Sequence, residues 1–212
     1  MSYQLLLGEL DEWFARGVAD AGHDVVLCRR GCSACCHGPF DISPADAELA
    51  AQAVSRLDPG TRSLVQLRAL DQVTRYAELA HGAWTSPWDP GAIGDPQFDR
   101  ICQRLARQPC PALGSDGVCL IYDSRPATCR IIGLAMRLPD GQVLHNDCPI
   151  LHTSAGYAAL NPTLFDLPAL EETAEDRDIE AMERGWRRTT VAGAIHRPIS
   201  TPPLPTTTSG CT

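Results

Sequence analysis

The 212-residue chain contains no lysine; all 18 of its basic side chains other than histidine are arginine. The absence excludes Schiff-base catalysis and a phosphate-binding lysine, and codon bias in a GC-rich genome accounts for it. Net positive charge is missing too. The formal charge of -8 argues against general nucleic-acid binding, which needs a basic surface to neutralise phosphates. No apolar run is long enough to span a bilayer. Met1-Ser2-Tyr3-Gln4 has no basic region, and Leu5-Leu6-Leu7 stops at Gly8 and Glu9, so no signal peptide is expected. The expectation is a cytoplasmic protein away from the membrane, in a compartment where thiols stay reduced and cysteine clusters tend to hold metal.

Several catalytic motifs are also absent. There is no His-Glu-x-x-His, Walker loop, Gly-x-Gly-x-x-Gly or Gly-x-Ser-x-Gly. A zinc deaminase would need His-x-Glu and Pro-Cys-x-x-Cys; here Pro109-Cys110 leads to Leu113 instead. Cys32-Ser33-Ala34-Cys35 has thioredoxin-like spacing, but the surrounding βαβ pattern is missing and two more thiols crowd it. No residue pattern marks a catalytic group.

What is present is cysteine, ten in all. Cys28-Arg29-Arg30-Gly31-Cys32-Ser33-Ala34-Cys35-Cys36 packs four into one turn-rich stretch, and Cys110, Cys119, Cys129 and Cys148 form a second set. Thiolates are soft, strong metal ligands, and closely spaced ones share a centre at little loop-closure entropy. The vicinal pair Cys35-Cys36 would more comfortably reach two metals, or two atoms of one cluster. Pro109 and Pro111 fix the backbone around Cys110. Arg125 and Arg130 flank Cys129, where guanidinium charge offsets a multi-thiolate site. Pro149 follows Cys148, a pairing often found beside clusters.

For a single cysteine, burial as a small apolar residue is the ordinary explanation. For this set, spacing and compartment favour metal over disulfides. Cys102 is read as core, on an apolar helical face, and Cys211 as a tail residue without a structural role. His37 and His145 are read as neighbours of the site rather than ligands, and Tyr122 as packing beside it.

The helical signals are clear. Leu6, Leu10, Trp13, Phe14 and Val18 predict an amphipathic first helix ended by Gly22. Ser43-Pro44-Ala45-Asp46 starts a second, with Leu49, Ala53, Val54 and Leu57 as its buried face and Asp58-Pro59-Gly60 as its stop. A third runs from Thr61 to about Ala80 on Leu64, Leu67, Val73, Tyr76 and Leu79. Trp84 and Trp88 predict an ordered loop, and Phe98, Ile101, Cys102 and Leu105 a short helix. Ile131 to Met136 and Val143-Leu144 are the strand signals, and helix returns from Leu167. The expected fold is mostly α with a small β element: an irregular, cysteine-rich metal-binding domain. It is read as a single domain over 1–196 with its cysteine core at 28–150, followed by a disordered tail, 197–212.

The joint pattern Cys28…Cys32-x-x-Cys35-Cys36, Cys110-Pro111, and Gly117-Val118-Cys119-Leu120-Ile121-Tyr122-Asp123-Ser124-Arg125-Pro126-Ala127-Thr128-Cys129-Arg130 resembles the YkgJ-type CxxCxxCC cysteine-cluster family. The helix start at Ser43 fits as well. Three residues rather than two separate Cys28 from Cys32, and Ser33 stands where glycine is common. The resemblance implies a zinc- or iron-chelating domain, often labelled an iron–sulfur oxidoreductase. It also implies a distant similarity to the cysteine domain of flagellin lysine N-methylases.

Three functions follow. The leading one is an iron–sulfur protein with a redox or cofactor-binding role, served by an unidentified protein or redox partner. The second is a zinc-binding structural or regulatory module without catalysis, since eight thiolates make two four-cysteine sites. The third, carried by the resemblance alone, is a methyltransferase of the flagellin-modifying type. In the first two, the metal ligands are Cys28, Cys32, Cys35, Cys36, Cys110, Cys119, Cys129 and Cys148.

Overall fold

A computed structural model describes residues 2–80, 94–148 and 156–197. The Trp84–Trp88 loop, Pro149, Cys211 and the tail read as disordered lie outside the described residues, apart from Arg197.

Helix α1 (Tyr3–Ala21) buries Leu6, Leu7, Leu10, Trp13, Gly17 and Val18. Gly22 ends it at φ 91°, donating its N–H to the Val18 carbonyl. The first cysteine segment follows, without regular structure, and leads into strand β1 (Asp41–Ile42). Helix α2 (Pro44–Ser55) starts as expected, with Ser43 accepting the Asp46 N–H at 3.2 Å. Its buried face is Ala45, Ala47, Ala50, Ala51 and Val54, whereas Leu49, Ala53 and Leu57 are only half-buried. Small alanines admit close neighbours, and α2 packs against the two C-terminal helices described below.

Asp58-Pro59-Gly60 does more than stop α2. Asp58 caps helix α3 (Pro59–Leu79) by accepting the Thr61 N–H at 3.0 Å. The buried stripe of α3 is Val65, Ala69, Gln72, Val73 and Tyr76, which fits a 3.6-residue period. Leu64 and Leu67, expected inside, are 47% and 64% exposed. Helix α4 (Asp95–Arg104) leads to the second cysteine segment. A short 3₁₀ turn at Tyr122–Ser124 precedes helix α5 (Ala127–Ile131).

Strands β2 (Met136–Arg137), β3 (Val143–Leu144) and β4 (Thr163–Leu164) form a small sheet. Here β2 is central, antiparallel to β3 and parallel to β4. The strand expected from Ile131 thus shrinks to two residues, because α5 takes Ile131. Helix α6 (Leu167–Glu183), strand β5 (Thr189–Thr190) and helix α7 (Val191–His196) complete the order. β5 pairs antiparallel with β1, Asp41 opposite Thr190. The described residues are mostly helical, with two small sheets. Among the described residues, no helix is long and apolar enough to cross a membrane.

Two hydrophobic cores result. One gathers α2, α3 and α7 around Tyr76, Ile101 and Trp186. The other gathers α1 with Leu134, Met136, Leu138 and Leu170. Cysteines border both cores. Cys110 and Cys119 pack against the first, Cys28 packs against the second, and buried Cys148 belongs to the second.

Candidate metal centre

Backbone hydrogen bonds build the site from separate stretches of chain. Turns closed by Cys32 N–H to Arg29 O (2.9 Å) and Cys36 N–H to Ser33 O (3.0 Å) fold the first segment. It then pairs antiparallel with the second: His37 stands opposite Pro109, and Cys110 N–H donates to Cys36 O at 2.9 Å. Gly38 makes this pairing possible. Its φ is 79°, and a Cβ there would sit 3.2 Å from the Ala106 Cα. From α3, buried Gln72 donates its amide to Pro109 O and accepts the Tyr76 hydroxyl at 3.0 Å, tying the Cys110 segment to the first core.

The chain from Cys110 folds into a tight hairpin, with Leu113 opposite Cys119 and Leu120 N–H bonded to Ala112 O at 2.9 Å. Asp116 shapes its tip by accepting the Val118 N–H at 3.1 Å. Cys129 rides on α5, whose first N–H, from Ala127, is accepted by the Asp46 carboxylate at 3.1 Å. Cys148 is reached after β3, where Asn146 bonds to Leu134 O at 3.0 Å.

These segments line a half-open cavity of about 700 Å³, and all eight cysteines read from the sequence as ligands lie on its wall. Cys102 does not; it packs against the first core, and burial lifts its thiol to about 11. His37 and His145 are exposed and also stay off the lining, with His37 turned to the Ser33 carbonyl at 3.1 Å. Helix α1 contributes Asp11, Phe14 and Val18 to the wall. The nine described cysteines are free thiols. Among the described residues, no three or more His, Cys, Asp or Glu side chains stand together so as to hold a metal ion. The thiols surround the cavity without converging.

Charge around them is organised by α1. Asp11 pairs with both Arg125 and Arg130. Arg130 is 4% exposed and also donates to the carbonyls of Asp123 (3.0 Å) and Arg125 (3.1 Å). Arg125 lies 4.1 Å from the centroid of the Tyr122 ring and Arg30 lies 5.1 Å from it, so Tyr122 packs against two cations.

The thiols respond to these surroundings. Burial, more than neighbouring sulfur, lifts Cys28 and Cys110 to about 12 and raises Cys119 and Cys129. A hydrogen bond from Cys36 brings Cys35 down to about 7 against its burial, with help from Arg125. The same bond, together with burial, holds Cys36 far above the thiol range. The vicinal pair therefore yields one proton readily and the second with difficulty.

Residues 27–149 match the CxxCxxCC family, described as "Putative zinc- or iron-chelating domain". The chain belongs to this family. No curated protein and no solved structure matches it. The CxxCxxCC match covers all eight cavity cysteines and ends just after Cys148. α1, with Asp11, lies outside the matched span.

Sequence reasoning missed Asp11, Asp46 and Gln72. Each left a signal: an acid four residues after Leu7 and three before Phe14, on the apolar stripe of α1; a second acid inside the helix start Ser43-Pro44-Ala45-Asp46; and an amide in register with Val65, Ala69 and Tyr76.

Proposed function

We propose that the eight cysteines bind a metal centre, an iron–sulfur cluster, in a redox or cofactor-binding role. The observation that carries this reading is that thiols from separate stretches, 28–36, 110–129 and 148, line the same cavity. The donor chemistry suits the group. Thiolates are the ligands of iron–sulfur clusters, and Arg125 and Arg130 supply positive charge against the negative charge of several thiolates. Eight thiols on one pocket are more than a single four-coordinate ion takes, which favours a polynuclear cluster over a single zinc. When bound, a cluster supplies one-electron chemistry or an open iron position to a ligand. Because the thiols stand apart, loading draws the cavity walls together, and metal affinity becomes part of the folding free energy.

The test is purification without oxygen, with iron, zinc and acid-labile sulfide measured per chain and the visible spectrum recorded. Matching iron and sulfide in a brown protein are expected. Stoichiometric zinc in a colourless protein would replace the redox reading with a structural or regulatory zinc module. Absence of both metals would remove the metal reading altogether.

A further inference from the structure

We propose that the Tyr122 corner of the cavity binds a small organic anion, a carboxylate or phosphate on an apolar body, through Arg29, Arg30 and Arg125. The site goes beyond the metal reading. Its groups are guanidiniums and an aromatic ring, and it stands whether or not the thiols carry metal.

Two separate turns bring these groups together. The turn closed by Cys32 N–H on Arg29 O at 2.9 Å carries Arg29 and Arg30, both exposed. The 3₁₀ turn at Tyr122–Ser124 carries the ring and leads straight to Arg125. Arg29, Tyr122 and Arg125 lie on the cavity wall. The Arg30 and Arg125 guanidiniums both stand at the Tyr122 ring, 5.1 Å and 4.1 Å from its centroid. Two like charges at one ring repel each other, and the ring's quadrupole offsets only part of that repulsion. The acids nearby do not complete the balance. Asp11 is divided between Arg125 and Arg130, and among the described residues neither Arg29 nor Arg30 makes an ion pair. Arg29, Arg30, Arg125 and Arg130 outnumber the wall's two carboxylates, Asp11 and Asp123. The result is a positive corner in a chain of formal charge -8.

The class of ligand follows from the groups present. A guanidinium has donors only, and its planar fork matches the oxygens of a carboxylate or phosphate. Apolar walls of low dielectric strengthen its field, and Phe14, Val18, Phe40 and Ile121 supply them here. The same side chains suit an apolar body on the ligand, and about 700 Å³ is the size of a small-molecule site. A polyanion would meet the repulsion of the whole acidic chain. The ligand is therefore small, with its anionic group at this corner.

The test is isothermal titration calorimetry of the full chain with benzoate and phenyl phosphate as probes and benzyl alcohol as the neutral control. At least one anion should bind once per chain, more tightly than benzyl alcohol and more weakly as salt rises. Arg29→Ala/Arg30→Ala should weaken that binding by about tenfold or more, with the circular dichroism spectrum and metal per chain unchanged. Arg104→Ala, which removes an exposed arginine of α4 away from the wall, should leave it as in wild type. If the double variant does not fold, Arg30→Gln, which keeps a polar side chain, decides by the same comparison. Three results would overturn the site: no binding of either anion at millimolar concentration, benzyl alcohol binding as tightly, or an unchanged affinity in the folded arginine variant. If affinity falls only in proportion to lost metal, the arginines serve the thiols and the site is equally wrong. A wild-type chain that binds the anions but no metal defeats the proposed function alone.

Discussion

The Cys110 backbone N–H donates to the Cys36 carbonyl oxygen at 2.9 Å, joining the two cysteine segments through main chain before any metal is involved. This contact lets distant thiols face one cavity, and it depends on the chain passing close to Ala106 at Gly38.

Replacing Gly38 with alanine should therefore reach the site without touching a thiol. The residue has φ 79°, and its new Cβ would meet the Ala106 backbone at 3.2 Å. Left-handed strain and the close contact together should cost about 1–3 kcal/mol. Urea unfolding should show the loss, and metal content should fall with it. Unchanged stability would mean that the pairing is not part of the native scaffold.

The two arginines at Asp11 should differ in effect. Arg130 is buried, and its removal leaves the Asp123 and Arg125 carbonyls without their guanidinium donor, while Asp11 keeps Arg125. Asp11 is 39% exposed, which tempers the penalty, so Arg130→Ala should destabilise by about 2 kcal/mol. Arg125→Ala should cost about half as much, because Arg125 is less deeply buried and donates to one backbone carbonyl, that of Tyr122, where Arg130 donates to two. Both variants should retain less metal than wild type. Full metal content in both would refute the charge-compensation role.

Asp46 carries a pH signature. Burial lifts its carboxyl from 3.8 to about 6, against the opposing pull of the Ala127 N–H and the Tyr3 hydroxyl. Between these values the folded chain holds a proton that the unfolded chain has released, so the contribution of Asp46 to stability falls as pH rises from about 4 to 6 and is flat above. At neutral pH its burial costs on the order of 3 kcal/mol. Asp46→Asn should flatten this part of the stability profile and raise stability at pH 7. Urea midpoints of both proteins at pH 4, 5, 6 and 7 provide the check, and parallel profiles would contradict the prediction.

Two glycines of α1 should respond with opposite sign. A Cβ at Gly8 meets nothing within 4 Å, so Gly8→Ala should stabilise by up to about 1 kcal/mol through helix propensity. A Cβ at Gly17 would sit 2.6 Å from Leu134 Cδ1 and 3.4 Å from Thr163 Oγ1. Leu134 is itself 4% exposed and has little room to yield, so overpacking should outweigh the helix gain and leave a net loss of about 1 kcal/mol. Thermal unfolding separates the two, and a stabilising Gly17→Ala would show that Leu134 moves freely.

Local chemistry made much of the fold legible in the sequence. Ser43-Pro44 announced α2 and Gly22 ended α1, because capping and left-handed geometry belong to the residues themselves. The cysteine set was legible for the same reason: spacing is a local property. Leu64 and Leu67 misled because leucine is apolar wherever it sits, while the face of α3 that packs on α7 is set by partners remote in sequence. The pairing of Asp41-Ile42 with Thr189-Thr190 was invisible, since two-residue strands have no periodicity to read. Ile131 followed a tertiary contact, the Asp46 cap on α5, over its strand propensity. Asp11 escaped notice because a single acid on an apolar stripe declares its importance only when its two arginines arrive from beyond residue 120.

That the cavity is assembled from stretches so far apart has a consequence for biosynthesis. Cys28, Cys32, Cys35 and Cys36 leave the ribosome about 120 residues ahead of Cys148, an interval on the order of ten seconds at ~5–20 residues per second. Throughout it, four closely spaced thiols are in the open without the wall that later encloses them, and any oxidant or stray metal ion can reach them. On the proposed metal reading, faithful loading would therefore wait until the chain has passed Cys148.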